Sequence, residues 1–485
     1  MRNILAEFVT QGSRRPVVFP KKAKDSKSIK CVRIKRFKRT QDAKLILNDF
    51  EVTASTEDAK PCPLFEEYGS EHFLLLQFDK SCRQSVIDKV VKSGLWVKVD
   101  GEVAKTHYKF FGHTPTQLRN TSCLLHSTDL ERKYGTHEQI ISKFGTFSMN
   151  NVSKKAARIG LLLSTAKPAV LLDDSQVIEI EDVKHKVTGF NFTDGCGLIS
   201  PEIAAKINDQ YELKYRQQYE QQVYKFPSVY QIRFKGCKGI LVLHTTLTNK
   251  IALRESLIKF TWNPEKKQNW LRIVEEKDAG GRNAPAVSFP NCYSSINVQF
   301  IRLLSALGVP DDVFLRKLDT YFEELSRILQ DQEVQVRHLC ANRRYDMAER
   351  ILTTKSVDDE TLKELKHYQM VCRMYKPRTT QMHSRYNQTK EDKIKVKVPL
   401  DQSRLVFGVA DISGKLEYGC CYFQPTIRGK PTVLEGVRVV VAKNPSYHVG
   451  DIRVLECVNI PECRYLVDCL VFPVNGQSYL QTDTI

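Results

Sequence analysis

Two kinds of apolar spacing alternate along the chain and predict different structures. EHFLLLQF at 71–78 and KGILVLHTTL at 238–247 contain apolar and β-branched residues in short runs near glycines or other turn residues, which predicts strands. A different spacing follows at 311–352, where apolar residues recur at steps of four and three and predict one helical stripe. The stripe consists of Phe314, Leu318, Tyr321, Leu325 and Ile328.

The order of these patterns predicts an α+β protein in which a helical connector separates two β regions. A helix is predicted at NNVSKKAARIGLLLS, with Asn151 or Ser153 as its N-cap, and another around DDETLKELKHYQMVCRM. The predicted division has a basic, partly disordered arm, an N-terminal α+β region, a first β region, a helical connector with a basic linker, and a second β region. Their bounds are 1–60, 61–175, 176–290, 291–398 and 399–485.

The charge of the chain indicates a polyanionic partner. The net charge is +18, and residues 1–40 contain 13 Lys/Arg against two acids. That segment is either a solvated arm or the start of a basic domain, and in both cases it adds salt-sensitive affinity for phosphates. The basic stretch at 375–399 is either a solvated connector or a loop that faces nucleic acid.

The cysteines and the apolar runs indicate a soluble protein inside the cell. None of the 14 cysteines forms a C-x-x-C pair, so free thiols in a reducing compartment are expected rather than zinc sites or disulfides. No apolar run reaches the roughly 20 residues needed to span a bilayer. We therefore expect no membrane partner and an intracellular location, nuclear or cytoplasmic.

One glycine-rich stretch, FNFTDGCGLIS at 190–200, is a candidate turn or metal site. Asp194 offers a carboxylate, but Gly195 and Gly197 supply the backbone freedom that a tight turn needs. The structural turn is the favoured interpretation, and a metal ligand is the alternative.

Two groups of basic residues are candidates for binding phosphate. Lys238 and Lys259 lie about 20 residues apart with Arg254 between them, so they either converge on an anionic ligand or lie on a solvated surface. In KNPSYHVGDIRVLE, Lys443 and Arg453 are the second group. The default interpretation there is a buried ion pair of Asp451 with Arg453 that holds the loop around His448, and phosphate binding is the functional alternative.

Seven stretches in order resemble the eukaryotic cell-encoded RNA-dependent RNA polymerases of RNA silencing. The likeness covers roughly residues 70–475. The stretches are YKFFGHTPTQLRNTSC, FNFTDGCGLIS, YQIRFKGCKGILVLH, LRESLIKF, YSSINVQFIRLLSALGVPDDVF, LVFGVADISGKLEYGCCYF and VVVAKNPSYHVGDIRVLECVNIPECRYLVDCLVFP.

The resemblance implies a fold, a reaction and roles for the two lysines. The fold is two double-psi β-barrels joined by a helical connector, with the second barrel incomplete at the C-terminal end of this chain. The reaction is template-directed synthesis of complementary RNA from nucleoside triphosphates, a nucleotidyl transfer. Lys238 and Lys259 match basic residues that bind triphosphate and RNA phosphates, and TDGCG becomes a structural turn near the cleft. The implied partners are single-stranded RNA template, nucleoside triphosphates and proteins of the silencing pathway.

The resemblance also implies Mg²⁺, and here the sequence departs from the family. The family holds Mg²⁺ with a DxDGD loop that follows the stretch matching LVDCLVFP, whereas this chain continues only with VNGQSYLQTDTI and contains no DxDGD. Asp483 is a single aspartate there. The sequence therefore predicts a truncated polymerase chain that lacks its metal ligands. The alternatives are a non-catalytic RNA-binding or regulatory isoform and a fragment of a normal enzyme.

Overall fold

The computed structural model divides the chain into two compact units. The described residues are 28–36, 50–79, 82, 84–98, 105–147, 150–211, 226–266, 269–277, 283–288, 295–341, 344–375, 398–400, 402–427, 430–443 and 445–474. Unit 1 comprises Met1–Leu172, Ile232–Lys238 and Ile258–Val274. Unit 2 comprises Asp173–Gln231, Gly239–Leu257 and Glu275–Ile485.

Unit 1 contains a six-stranded sheet with strand order β2-β1-β3-β6-β5-β4. These strands are β1 Ser28–Arg36, β2 Phe50–Asp58, β3 Phe73–Phe78, β4 Leu95–Lys98, β5 Lys105–Gly112 and β6 Ser122–Ser127. Only the β1–β3 pair is parallel, and the others are antiparallel. The remaining strands that lie wholly in unit 1 are β7 Gly145–Thr146, β8 Ala166–Leu171 and β14 Thr261–Trp262.

Strand β3 explains why this sheet is stable, because its side chains enter apolar cores on both faces. Leu74 and Leu76 pack in one core with Val32 and Leu125, whereas Phe73 packs in the other. Successive side chains of a strand point to opposite faces, so a continuous apolar run such as FLLL suits a strand covered on both sides.

The structure corrects the prediction of a disordered arm for part of residues 1–60. Ser28–Arg36 is a strand between β2 and β3, and its Cys31 and Val32 are fully buried. Its basic residues alternate with apolar ones, and this alternation is a strand pattern that the high charge concealed. Residues 1–27 lie outside the described residues, as do most of the basic stretch at 375–399 and the C-terminal Asp483.

The helices of unit 1 are short and pack on the edges and faces of the sheet. They are α1 Pro63–Tyr68, α2 Gln84–Ser93, α3 Pro115–Arg119, α4 Thr128–Tyr134, α5 His137–Ser142 and α6 Val152–Ile159. The predicted N-cap of α6 is confirmed, because Asn151 Oδ1 accepts a hydrogen bond from Lys154 N at 2.9 Å.

The first β region of unit 2 combines parallel and antiparallel pairs. β10 Cys196–Ile199 is parallel to β12 Cys237–Leu243 and antiparallel to β13 Ile251–Arg254. β13 is in turn parallel to β9 Val177–Ile180. Three strands contain residues assigned to both units, namely β11 Val229–Phe234, β12 Cys237–Leu243 and β15 Trp270–Lys277. Short strands follow at β16 Asn283–Pro285, β17 Ser295–Ile296 and β18 Val398–Pro399, and the helix of this region is α7 Pro201–Gln210.

Helices do occupy the segment predicted to be helical, but 311–352 contains several helices rather than one long one. The helices over 298–375 are α8 Val298–Ala306, α9 Asp311–Arg327, α10 Gln332–Ala341, α11 Tyr345–Thr354 and α12 Asp359–Tyr375. The stripe packs as predicted, since Tyr321, Leu325 and Ile328 are buried in one core with Leu365.

The second β region of unit 2 is a five-stranded sheet of order β19-β25-β20-β24-β23. Its strands are β19 Phe407–Ala410, β20 Cys420–Phe423, β23 Val437–Ala442, β24 Ile452–Cys457 and β25 Cys469–Phe472, with β21 Thr426–Ile427 and β22 Lys430–Pro431 as a separate pair. The pairs β19–β25 and β20–β24 are parallel, and β20–β25 is antiparallel.

No helix in the part of the chain that the structure describes is long and apolar enough to cross a membrane.

Candidate functional site

A tight hairpin in unit 1 brings Lys238 close to Lys259. Lys235 and Gly236 form its turn with φ of 39° and 80°, and a Cβ at Gly236 would collide with the carbonyl oxygen of Phe260. Lys259 N donates to Gly236 O at 3.0 Å, and Cys237 pairs with Ile258. The glycine therefore permits a close approach that places the two lysines on neighbouring backbone segments.

Around these lysines the structure assembles a group of cations. The pKa of Lys238 is lowered first by burial and then by the positive charges of Arg233, Arg158 and Lys259. All four residues belong to unit 1, and we call them the cation cluster. The charged side chains that shift this pKa are all cationic, so the cluster is suited to an anionic ligand.

Arg233 is a partly buried member of the cation cluster. Burial lowers the pKa of its guanidinium to about 10. Its Nε donates to Ser164 Oγ at 3.2 Å and its Nη1 donates to Ile232 O at 2.7 Å. The bond to Ser164 holds the guanidinium against the segment that follows α6. Neither Arg158 nor Arg233 was among the sequence candidates, because neither stands in a pattern that distinguishes it from a surface arginine.

The structure places Arg254 in a different environment, in unit 2. Its side chain is only 4% exposed. Nε donates to Glu181 O at 3.0 Å and Nη1 donates to Cys196 O at 2.6 Å. The guanidinium therefore joins β9 to the TDGCG turn, and its position between the lysines in sequence does not place it in the cation cluster.

The TDGCG stretch forms a turn whose polar partners lie outside the stretch. Gly195 has φ 71°, and its N–H donates to Ser256 Oγ at 3.0 Å. Ser256 in turn donates to Asp182 Oδ1 at 2.7 Å, as Thr193 does at 2.9 Å. Burial alone raises the pKa of Asp182, but hydrogen bonds from Ser256, Thr193 and Asn191 outweigh it and lower the pKa. Asp182 and Ser256 were missed because only the fold brings them to the turn.

The two glycines of this turn serve different purposes. Gly195 adopts the left-handed backbone, with open space where a Cβ would be. Gly197 is needed for close packing, because a Cβ there would lie 2.5 Å from Ala252 O and 2.7 Å from a methyl of Leu241. Asp194 itself is exposed.

The second basic group consists of Lys443, which directly follows β23, and Arg453, which lies on the adjacent strand β24. Lys443 Nζ is 3.2 Å from Asp451 Oδ1, and Asp451 Oδ2 accepts from Tyr447 N at 2.8 Å and His448 N at 3.1 Å. The hydrogen bond from Tyr447 is the main cause of the lowered pKa of Asp451. Asp451 therefore holds the loop, as the structural interpretation predicted, but its ion pair is with Lys443 rather than with the predicted Arg453. Arg453 lies opposite Val441 on β24.

The described residues do not form a site that fits Mg²⁺. Among them, no three His, Cys, Asp or Glu side chains are grouped as metal ligands. Asp411 is buried, and its carboxylate accepts from Ser413 N at 2.9 Å and Leu416 N at 2.8 Å. Asp194 is exposed on a turn, and Asp451 is occupied by its own loop.

Comparisons with known proteins agree with the resemblance seen in the sequence. The probable RNA-dependent RNA polymerase SHL2 of Oryza sativa subsp. japonica is 31% identical over 398 residues, which cover 76% of this chain and 29% of that protein. RNA-dependent RNA polymerase 6 of Arabidopsis thaliana is 29% identical over 420 residues, covering 81% of this chain and 31% of that protein. The chain thus spans less than a third of these relatives.

A solved structure and a family model complete the comparison. RNA dependent RNA polymerase QDE-1 from Thielavia terrestris matches in fold with a TM-score of 0.60 at 15% identity, covering 99% of this chain and 55% of that one. The family model described as RNA dependent RNA polymerase matches residues 52–483. The chain therefore belongs to the RNA-dependent RNA polymerase family.

Proposed function

We propose that this chain supplies phosphate-binding surfaces of an RNA-directed RNA polymerase of RNA silencing. The substrates are single-stranded RNA template and nucleoside triphosphates, the product is complementary RNA, and silencing-pathway proteins are the partners. The family match over residues 52–483 carries the proposal. The net charge of +18 supports it, because polyanions are the partners that such a charge favours.

We propose further that the two β regions of unit 2 belong to two double-psi β-barrels. The support is a shared succession of strand pairings. In the first region, β12–β10, β10–β13 and β13–β9 are parallel, antiparallel and parallel. In the second, β19–β25, β25–β20 and β20–β24 follow the same succession. Two related barrels are expected to share the same succession of parallel and antiparallel strand pairs, as these two sheets do.

In this proposal the residues of the cation cluster hold phosphoryl oxygens. Lys238 and Lys259 are flexible point charges, and they neutralise the negative charge of a triphosphate or of the RNA backbone. Ligand binding also relieves the repulsion that lowers the pKa of Lys238. Lys443 and Arg453 are proposed as a secondary contact with RNA. We assign Arg254 and the TDGCG turn to positioning rather than to contact with substrate.

Magnesium ions supply electrostatic stabilisation of nucleotidyl transfer when they are bound to clustered carboxylates. The described residues do not provide that cluster, and we therefore assign no catalytic step to this chain. The second candidate function is a non-catalytic RNA-binding or regulatory form of the family, and the net charge of +18 suits RNA binding there as well.

A titration with single-stranded RNA at several salt concentrations tests the proposed function. We expect weak sequence preference and a linear fall of log affinity with log salt, because binding releases counterions. Lys238→Ala and Lys259→Ala are each expected to lower the slope by about 0.7, which is the contribution of one neutralised phosphate on a single strand. Unchanged affinity and slope in both variants would contradict the assigned roles.

A further inference from the structure

Arg158 has a buried polar atom that the rest of unit 1 does not satisfy. The residue is the penultimate residue of α6 and is partly buried. Its Nε is enclosed, yet no acceptor among the described residues hydrogen-bonds to it. Buried polar atoms of this kind are uncommon in folded proteins, and each calls for a partner. A guanidinium stays charged at every physiological pH, so loss of a proton does not remove the cost of the enclosed, unbonded N–H.

The segment around Arg158 is held in place by close packing and a hydrogen bond. Gly160 follows two residues later, and a Cβ there would lie 2.6 Å from His113 O, so α6 ends directly against the loop before α3. Ser164 follows, and its Oγ accepts the bond from Arg233 Nε at 3.2 Å. The end of α6 is therefore anchored on both sides, and Arg158 is presented by a fixed piece of backbone.

The neighbours of Arg158 favour an anion as the missing partner. Arg158, Arg233 and Lys259 all act on Lys238 with the same sign of charge. Bringing several cations together is unfavourable unless a polyanion is bound among them. Phosphate suits such a place, because its oxygens accept the two parallel N–H bonds that a guanidinium presents.

We propose that Arg158 is a further phosphate-binding residue of the cation cluster, with Arg233 as the residue that positions the end of α6. The inference rests on the proposed function and extends it beyond the two lysines. The phosphate belongs either to the RNA backbone or to a nucleoside triphosphate. The chemistry of recognition is the same in both cases.

The experiment compares Arg158→Gln with a charge-matched control on the same helix. Lys155 is exposed on α6, so Lys155→Gln removes one positive charge without touching the cluster. The full chain is titrated with short labelled single-stranded RNA at several salt concentrations, and ATP and inorganic triphosphate are used as competitors. Circular dichroism and melting temperature establish that each variant is folded.

We expect Arg158→Gln to weaken RNA binding about three- to ten-fold near physiological salt and to lower the salt slope by about 0.7. Lys155→Gln should leave the RNA affinity and the salt slope close to those of the unmodified chain. Arg158→Lys should recover part of the affinity, because lysine keeps the positive charge but lacks the two parallel N–H donors of the guanidinium. If the variant loses only RNA affinity, Arg158 binds a phosphate of the RNA backbone. If it loses only the competition by ATP and triphosphate, Arg158 binds the phosphates of the nucleotide.

Two results distinguish failure of this inference from failure of the proposed function. If Lys238→Ala weakens binding and Arg158→Gln leaves the binding of both RNA and triphosphate unchanged, Arg158 is not a phosphate-binding residue. The proposed function then stands. If neither variant changes binding of either ligand, both the inference and the assigned role of Lys238 are wrong. An equal effect of Lys155→Gln would also overturn the inference, because it would reduce the role of Arg158 to general charge.

Discussion

Single residues show how far spacing in a sequence determines which side chains act together. Lys238 and Lys259 were paired from the sequence, and the hairpin turn at Gly236 does bring their backbone segments together. Arg254 was grouped with them only because it lies between them in sequence. It ends a strand whose residues are all buried, and its guanidinium bonds to carbonyl oxygens. Arg254 differs from the two lysines because β13 is buried. That burial depends on tertiary packing, which the spacing of residues in the sequence does not reveal.

Replacing Arg254 by methionine should lower the stability of the chain. Glu181 O and Cys196 O would lose their donor, and the buried Cys196 O left without a hydrogen bond costs about 1–3 kcal/mol. We expect the free energy of unfolding to fall by about 2–4 kcal/mol, measured by urea denaturation. Lys250→Met, at an exposed position just before β13, should change it by less than about 0.5 kcal/mol. Normal stability with lost RNA affinity would instead make Arg254 a ligand-binding residue.

The lowered pKa of Lys238 predicts how RNA binding depends on pH. A bound phosphate favours charged lysine, so the pKa of Lys238 rises on binding and affinity is greatest below the pKa of the free protein. As pH rises through that pKa, which lies below the ordinary 10.5, affinity should fall. Titrations from neutral pH to about 10.5 should show this fall, and Lys238→Arg should reduce it because arginine stays charged. An identical pH profile in the two proteins would contradict the prediction.

At the scale of elements, periodicity predicted most of what lies in a core and less of what ends an element. The strand at β3, the cap of α6 and the stripe of α9 all agree with the sequence. The break after α9 was missed, although Asp331 marks it. Its Oδ1 accepts from Glu333 N at 3.0 Å and Val334 N at 3.2 Å, and this caps α10. The stripe ends at Ile328, because positions 331 and 332 are polar, but apolar residues resume at Val334 and Leu339, so the segment looked helical throughout.

Glycines of the first β region of unit 2 give a prediction at this scale. Gly195 needs a left-handed backbone but has open space, whereas a Cβ at Gly239 would collide with Gly195 O. Gly195→Ala should cost about 1–2 kcal/mol, and Gly195→Asn should cost less because asparagine tolerates that conformation. At Gly239, alanine and asparagine should both cost about 3 kcal/mol or more, since backbone must move. Thermal melting measures the four variants, and rescue by asparagine at Gly239 would contradict the proposed contact.

For the whole molecule, the sequence predicted the α+β class and the family, but the two units are not continuous stretches of chain. Residues 232–238 and 258–274 belong to unit 1, although the segments beside them belong to unit 2. The predicted division of the chain into five consecutive segments, with two barrels and a helical connector, stays a prediction. Apolar runs and turns indicate where strands lie, but strand partners are chosen by packing between residues far apart in sequence. For this reason Arg158 could not be connected with Lys238 from the sequence.

The last prediction concerns the 485-residue chain as a catalyst, and we expect it to bind RNA without templated nucleotide incorporation. Two Mg²⁺ ions about 3.5–4 Å apart need clustered carboxylates. Within the described ranges, Asp411 and Asp451 are each committed to their own loops, and no group of three potential ligands occurs. Incubation with RNA template, Mg²⁺ and labelled triphosphates, beside a mock purification, measures the activity. Incorporation absent from the mock sample and abolished by Asp194→Asn, Asp411→Asn or Asp451→Asn would show that carboxylates of this chain do hold the metal.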